Sequence, residues 1–172
     1  MAAIGAGIPI QEAKGHMIVD IGGGTTDVAV ISLGGIVAST SVKVAGNKID
    51  NAIYEKRKRT FNLAIGNKTT EDIKINVGSA IPLDEELVIS IKGRDLVTGL
   101  PRSVDIKTNE IVKAITRELR AMIEAIKTVF QETPPELSSD IIDVGITMTG
   151  GSSQLRNLPE LVYRRTGVRA RL

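Results

Sequence analysis

Asp20-Ile21-Gly22-Gly23-Gly24-Thr25-Thr26-Asp27 decides the fold, because it sets three glycines between two apolar runs and brackets them with acids. Met17 to Ile21 reads as one strand, and Thr25 to Leu33, carrying Val28, Val30 and Ile31, reads as a second. After Gly34-Gly35 a third run follows from Ile36 to Val44, so the glycine motif is a hairpin turn in a meander. A Walker loop ends in Gly-Lys-Ser/Thr and opens a helix, and a dinucleotide fingerprint also leads into a helix; neither follows here. Three successive glycines carry no Cβ and permit positive φ, so their N–H groups can converge on an anion. Thr25 and Thr26 add hydroxyl donors. Asp20, at the end of its strand, suits a hydrated Mg²⁺ that bridges to phosphates better than it suits a phosphate itself. An ordinary two-residue turn needs neither the acid nor the threonines. The motif therefore predicts a nucleotide-phosphate loop.

Composition narrows the alternatives. Across 172 residues, 42% are hydrophobic and 24% charged, which is ordinary for a globular protein and enough for one substantial core or two small lobes. Aromatics are so scarce (Tyr54, Phe61, Phe130 and Tyr163) that Ile, Val, Leu and Ala must fill the core, and base stacking is a poor basis for binding single-stranded nucleic acid. The net charge of +2 gives no argument for a polyanion either, so no nucleic-acid partner is expected. Cysteine is absent, which excludes disulfides and thiolate metal sites. His16, the one histidine, is expected at the surface before the first strand. Met1 to Ile10 is apolar but has no basic leader and is far shorter than a membrane span; it reads as the end of an interrupted helix or a linker, and a cytoplasmic location is expected.

Beyond the meander, Ile49, Ala52, Ile53 and Lys56 recur at helical spacing up to about Phe61, and Lys56-Arg57-Lys58-Arg59 reads as a solvated helix end. Gly66-Asn67 breaks the chain, and Thr69 or Thr70 can cap a helix that runs to Ser79. Glu71 and Lys74 lie three apart on that helix, the spacing of a surface ion pair. Glu86 to Lys92 and Arg102 to Lys107 read as a small hairpin. Asn109 is expected to cap the longest helix, whose stripe is Ile111, Ile115, Leu119, Met122, Ile123, Ile126, Val129 and Phe130, and Pro134-Pro135 ends it. The remainder reads as a strand from Ile141 to Met148, a Gly150-Gly151-Ser152-Ser153 turn, a helix over 157–166 and a closing run from Val168 to Leu172. Two glycine turns thus stand at strand ends, each presenting free amides at a sheet edge.

These residues resemble the superfamily of actin, sugar kinases and heat-shock ATPases, whose second phosphate loop is this Asp-x-Gly-Gly-Gly-Thr hairpin. Met17 to Leu33, Gly99-Leu-Pro-Arg102, Thr133-Pro-Pro-Glu-Leu137 and Met148-Thr-Gly-Gly151 are similar to the C-terminal half of the MreB family of bacterial actin-like proteins, in order and over essentially the whole chain. The resemblance implies an α/β fold: an actin-like ATPase domain, ribonuclease H-like, with an inserted small α+β lobe. Residues 1–45 and 109–172 would form the main subdomain on a mixed five-stranded sheet, and residues 46–108 the inserted one. ATP and Mg²⁺ are the implied cofactors. Asp20 would reach the metal through water, and Gly22, Gly23, Gly24 and Thr25 would lie at the phosphates. Glu71, Asp72, Ile73 and Lys74 fall where the family contacts ribose and adenine, and Gly150, Gly151, Ser152, Ser153 and Gln154 would border the adenosine. MreB-like chains usually carry a third glycine where Ser152 stands, a departure from the pattern at the point of closest approach.

The family's first half, with its own phosphate loop, water-positioning groups and membrane-binding surface, is expected to lie outside this chain, as is the helix that returns beyond Leu172. No catalytic residue is assigned here, and negligible ATP turnover by this chain alone is expected, because half an enclosure leaves phosphates wet. An apolar sheet face left uncovered would promote association. The implied function is the nucleotide-binding half of a filament that guides cell shape and cell-wall synthesis. The implied partners are further protomers and cell-shape and cell-wall synthesis proteins, at the inner face of the membrane and touching it only through the other half. The competing readings are an FtsA-type or chaperone-type ATPase fragment, a sugar kinase, and a binding module that needs no nucleotide. A chaperone would need a peptide-binding domain and a kinase a sugar-contacting acid, and neither is visible.

Overall fold

The computed structural model describes residues 1–172. In chain order the elements are α1 (Ala2–Gly5), β1 (His16–Ile21), β2 (Thr26–Ser32), β3 (Gly35–Val42), α2 (Gly46–Phe61), β4 (Leu63–Ala64), α3 (Asn67–Val77), β5 (Val88–Asp95), β6 (Pro101–Lys107), α4 (Thr108–Glu132), α5 (Pro135–Val144), β7 (Ile146–Thr149), a 3₁₀ turn (Gly151–Gln154), α6 (Leu158–Thr166) and β8 (Ala170–Arg171). They form two compact units. Residues 1–46, 120–154 and 158–172 make the first, and residues 47–119 and 155–157 the second, so the division falls within α4.

The first unit is built on a five-stranded sheet in the order β3-β2-β1-β7-β8. β1 and β2 are antiparallel, as are β2 and β3, whereas β7 runs parallel to both β1 and β8. Val19, Ile21, Val28, Val30, Ile146 and Met148 are buried, so the central strands present no open apolar face. The exposed apolar side chains of this sheet gather instead at the β2–β3 turn and edge, at Leu33, Ile36 and Val37. His16 differs from expectation: it is the first residue of β1 and is buried, since the strand begins one residue earlier than its apolar run.

Helix α5 also departs from the sequence reading. Pro134-Pro135 ends α4, but Pro135 occupies the first turn of a new helix, where its missing N–H costs nothing. That helix takes residues 141–144 from the expected strand, burying Ile141 and exposing Ile142. It stops at Gly145, whose φ of 88° with an extended ψ is a backbone geometry open essentially to glycine alone, and β7 then starts at Ile146.

The second unit pairs β4, β5 and β6 antiparallel beside α2 and α3. The caps differ from those expected. α3 begins after Gly66, and the Thr70 hydroxyl donates to the Gly66 carbonyl inside the first turn. α4 begins at Thr108; Asn109, one residue inside it, accepts from the Leu83 N–H at 2.9 Å and donates to the Leu83 carbonyl at 3.1 Å, tying the preceding loop to the helix.

Arg57 overturns the solvated reading of the basic run. It continues the Ile49 and Ile53 stripe of α2 at a spacing of four and is 0% exposed, whereas Lys58 and Arg59 are exposed. Its guanidinium stacks 4.9 Å from the Phe61 ring centre and stands 3.8 Å from Glu110 Oε2, with no hydrogen bond to its Nε, Nη1 or Nη2. Burial lowers its pKa and Glu110 raises it again. A desolvated cation without acceptors costs more than its attraction to one half-exposed carboxylate returns. Arg57→Met is therefore expected to raise stability by about 1 kcal/mol, read as a higher urea midpoint at unchanged slope; a midpoint that falls would show the guanidinium to be net stabilising.

Candidate functional site

The site of the first unit grows from the end of β1. Gly22 N–H donates to the Thr25 carbonyl at 3.1 Å and closes the hairpin with Gly23 and Gly24 at its corner. None of Gly22, Gly23 and Gly24 uses the positive φ that glycine permits. Their contribution is an unshielded main chain: a Cβ on Gly22 would touch only the Thr25 carbonyl, at 3.8 Å, and one on Gly24 would meet nothing within 4 Å. The N–H groups of Gly23, Gly24 and Thr25 donate to no protein acceptor, and all three residues are exposed. Three adjacent donors at a turn form a concavity that suits an anion.

The carbonyl of Gly22 is turned out of the hairpin and accepts twice, from Gly46 N–H at 3.1 Å and from Ser152 Oγ at 2.8 Å. One oxygen thereby ties the hairpin to the start of α2 and to the turn after β7. Ser152 accordingly directs its hydroxyl at the hairpin, which gives the residue standing in place of a glycine a structural task. A Cβ on Gly46 would collide with Ser152 Oγ, so a larger residue there would displace the hydroxyl from the Gly22 carbonyl. Gly150, at φ 88°, is constrained still more: a Cβ would overlap the Ile21 carbonyl and lie 2.7 Å from Asp20 Oδ1. Ser153 closes the turn by donating its hydroxyl to the Gly150 carbonyl at 2.6 Å, while Gly151 and Gln154 are exposed.

Register places Asp20 opposite Asp27 on β2 and opposite Thr149 on β7. Asp20 Oδ1 accepts from Thr149 Oγ1 at 3.2 Å, and Asp27 Oδ2 accepts from Thr25 Oγ1 at 2.9 Å. Two carboxylates on directly paired residues repel, a cost that a nearby cation offsets. No group of three or more His, Asp or Glu residues could hold a metal directly. Thr26, expected as a second hydroxyl donor at the turn, is instead buried and donates to the Val44 carbonyl at 2.7 Å, so only Thr25 of the two threonines stands at the exposed turn.

The expected residues of the second unit lie on α3. Thr70, Ile73 and Val77 form its buried face, which makes the Ile73 side chain core and leaves Glu71 and Asp72 exposed. Lys74 does not pair with Glu71. Its Nζ stands 2.8 Å from Asp50 Oδ1 on α2, with the two side chains 18% and 33% exposed. Sequence reasoning missed Thr149, Gly46 and Asp50. Gly46 could have been found as the glycine that opens the helix after the meander; Thr149 and Asp50 depend on pairings between distant segments that no local spacing reveals.

The chain matches the MreB/Mbl protein family over residues 1–172. It is 49% identical over 162 residues to the cell shape-determining protein Mbl of Bacillus subtilis, covering 94% of this chain and 49% of that protein. It is 47% identical over 167 residues to the cell shape-determining protein MreB of Escherichia coli, covering 97% and 48% respectively. Among solved structures it superposes on MreB5 of Spiroplasma citri bound to ADP with a TM-score of 0.94 at 41% identity, covering 99% of this chain and 52% of that one. A MamK double helical filament gives a TM-score of 0.74 at 25% identity, covering 91% and 48%. The chain thus spans about half the length of the relatives it matches. The fold is the actin-like α/β fold that these neighbours share.

Proposed function

This chain belongs to the MreB/Mbl family, and on that premise we propose that it carries the nucleotide-binding C-terminal half of an actin-like protein that assembles into filaments controlling cell shape and cell-wall synthesis. The observation that carries the reading is the turn of Gly23, Gly24 and Thr25, whose three N–H groups have no protein acceptor, beside the carboxylate of Asp20. The MreB5 neighbours bound to ADP and to AMPPNP support a nucleotide as the anion, and the MamK filament supports self-association. Proteins named for determining cell shape, at nearly half identity, support the cellular role over an FtsA-type or chaperone-type fragment.

The phosphates lie at Gly22, Gly23, Gly24 and Thr25, in the first unit. Gly150, Gly151, Ser152, Ser153 and Gln154 border the adenosine from that unit. On α3 of the second unit, Glu71 and Lys74 contact ribose and adenine; Asp72 is exposed beside them, and Ile73 serves by packing the helix. The residues 46–108 are an insertion into a domain made of 1–45 and 109–172. The donor set fits a hydrated Mg²⁺ held by Asp20 through water, since Asp20 and Asp27 each spend one oxygen on a threonine and make an acidic face with too few groups for direct ligation. When bound, the ion neutralises phosphate charge. No catalytic residue is assigned, and the protein's partners are further protomers and cell-shape proteins rather than nucleic acid. No helix is long and apolar enough to cross a membrane; a place at the inner membrane face is part of the proposal.

Calorimetric titration of the 172-residue chain with ATP and Mg²⁺ tests the reading. Saturable binding that weakens about tenfold or more in Asp20→Ala is expected, one partly buried charge with its hydrated cation being worth at least about 1.4 kcal/mol. Equal binding by wild type and Asp20→Ala would remove the acid from the site.

A further inference from the structure

Lys74 of α3 is constrained at both ends, its main chain by the helix terminus and its ammonium by Asp50. Its main chain is fixed by the end of the helix: Gly78 N–H donates to the carbonyls of both Ile73 and Lys74 at 3.1 Å, and a Cβ on Gly78 would collide with the Lys74 carbonyl. Arg156 caps the same end, its Nη1 donating to the Asn76 carbonyl at 3.4 Å and to the Gly78 carbonyl at 3.2 Å, where a cation is favoured by the helix dipole. Ala80 N–H returns a bond to the Arg156 carbonyl at 2.8 Å.

The ammonium at the far end of the side chain still has four rotatable bonds, and only Asp50 restrains it. Asp50 follows Ile49 and Lys74 follows Ile73, two isoleucines that are 1% and 0% exposed, so the ion pair rests on buried neighbours in the same unit. Asp50 Oδ1 is itself buried and has no partner besides that ammonium. Glu71, one turn earlier and exposed, takes no part in any ion pair. A lysine ammonium has three donors; one spent on Asp50 leaves two for neutral acceptors, while the carboxylate offsets the positive charge. That arrangement suits hydroxyl and ring-nitrogen acceptors better than phosphate.

We propose that Asp50 is a positioning residue for Lys74, holding the ammonium where it donates to the sugar or base of the nucleotide. This rests on the nucleotide reading above and deepens it. Asp50 touches no ligand; it removes the rotamer freedom that Lys74 would otherwise lose on binding, and it keeps the lysine from acting as a phosphate ligand.

ADP titrations of wild type, Asp50→Asn, Lys74→Ala and the double variant test this, with thermal midpoints measured alongside. Asp50→Asn is expected to weaken ADP about fivefold, as befits a partly buried pair, without lowering the midpoint by more than a degree or two. Added to Lys74→Ala, it is expected to cause no further loss, because its only route to the ligand is already gone. Wild-type affinity in Asp50→Asn overturns the proposal and leaves the nucleotide reading standing. A fivefold loss that persists undiminished in the Lys74→Ala background is a general structural effect and also overturns it. Absence of ADP binding by the wild type overturns the nucleotide reading, and this inference with it.

Discussion

Gly150→Ala is expected to destabilise the first unit by about 3 kcal/mol and to lower its thermal midpoint by about 10 °C. Two costs add. The backbone sits at φ 88°, a region that L side chains adopt only under strain, and the new methyl would overlap the Ile21 carbonyl and crowd Asp20 Oδ1 at 2.7 Å. The Asp20 carboxylate can rotate away, but the Ile21 carbonyl is main chain and cannot yield cheaply. Ile21 belongs to β1, paired on both sides, and Asp20 is held in register opposite both Asp27 and Thr149. The damage therefore falls on the parallel β1–β7 pairing that aligns both glycine turns. Differential scanning of the variant against wild type measures the effect; a midpoint within 2 °C would mean that the turn after β7 is free to move.

Gly24→Asp is expected to do the opposite, leaving the midpoint within about 2 °C while weakening nucleotide by about a hundredfold or more. A Cβ at Gly24 meets nothing within 4 Å and its φ is not positive, so the fold tolerates a side chain there. The added carboxylate would stand among the free N–H groups of Gly23, Gly24 and Thr25, competing for the donors and repelling phosphate. Like charges about 4 Å apart near a protein surface repel by about 4 kcal/mol before salt screening. Calorimetry with ATP and Mg²⁺ reads the loss; nucleotide affinity unchanged from wild type would place the phosphates elsewhere. The two glycines share one chemistry and carry opposite predictions, because one is required by the fold and the other leaves space.

What the sequence revealed follows the range of its signals. Period-two apolar runs located β1, β2 and β3, and the failure of a helix to follow Gly24 identified the hairpin. Helical spacing located α4. Where two signals overlapped, the reading failed: the Ile, Val and Met residues between Ile141 and Met148 pass for one strand, and the Gly145 backbone divides the stretch into α5 and β7. Residue class misled at Arg57, whose spacing from Ile49 and Ile53 was the better guide. Glycine identity indicated where main chain is exposed but not how: positive φ belongs to Gly150, while Gly22 and Gly24 have space where a Cβ would stand. Thr26 reads by type as a hydroxyl donor at the turn and instead serves the protein's own Val44 carbonyl, and Ser152 ties its turn to the Gly22 carbonyl. Such bonds join residues up to 130 positions apart and leave no local trace.

The phosphate-binding role of the glycine hairpin is the central claim, and its backbone amides report on it directly. In a nitrogen–proton correlation titration of the chain with ADP and Mg²⁺, the amides of Gly23, Gly24 and Thr25 are expected to shift downfield and to gain protection from exchange, since they are the donors without a protein acceptor. If nucleotide binds while these three resonances stay in place, the hairpin is only a turn of the meander and the account is wrong.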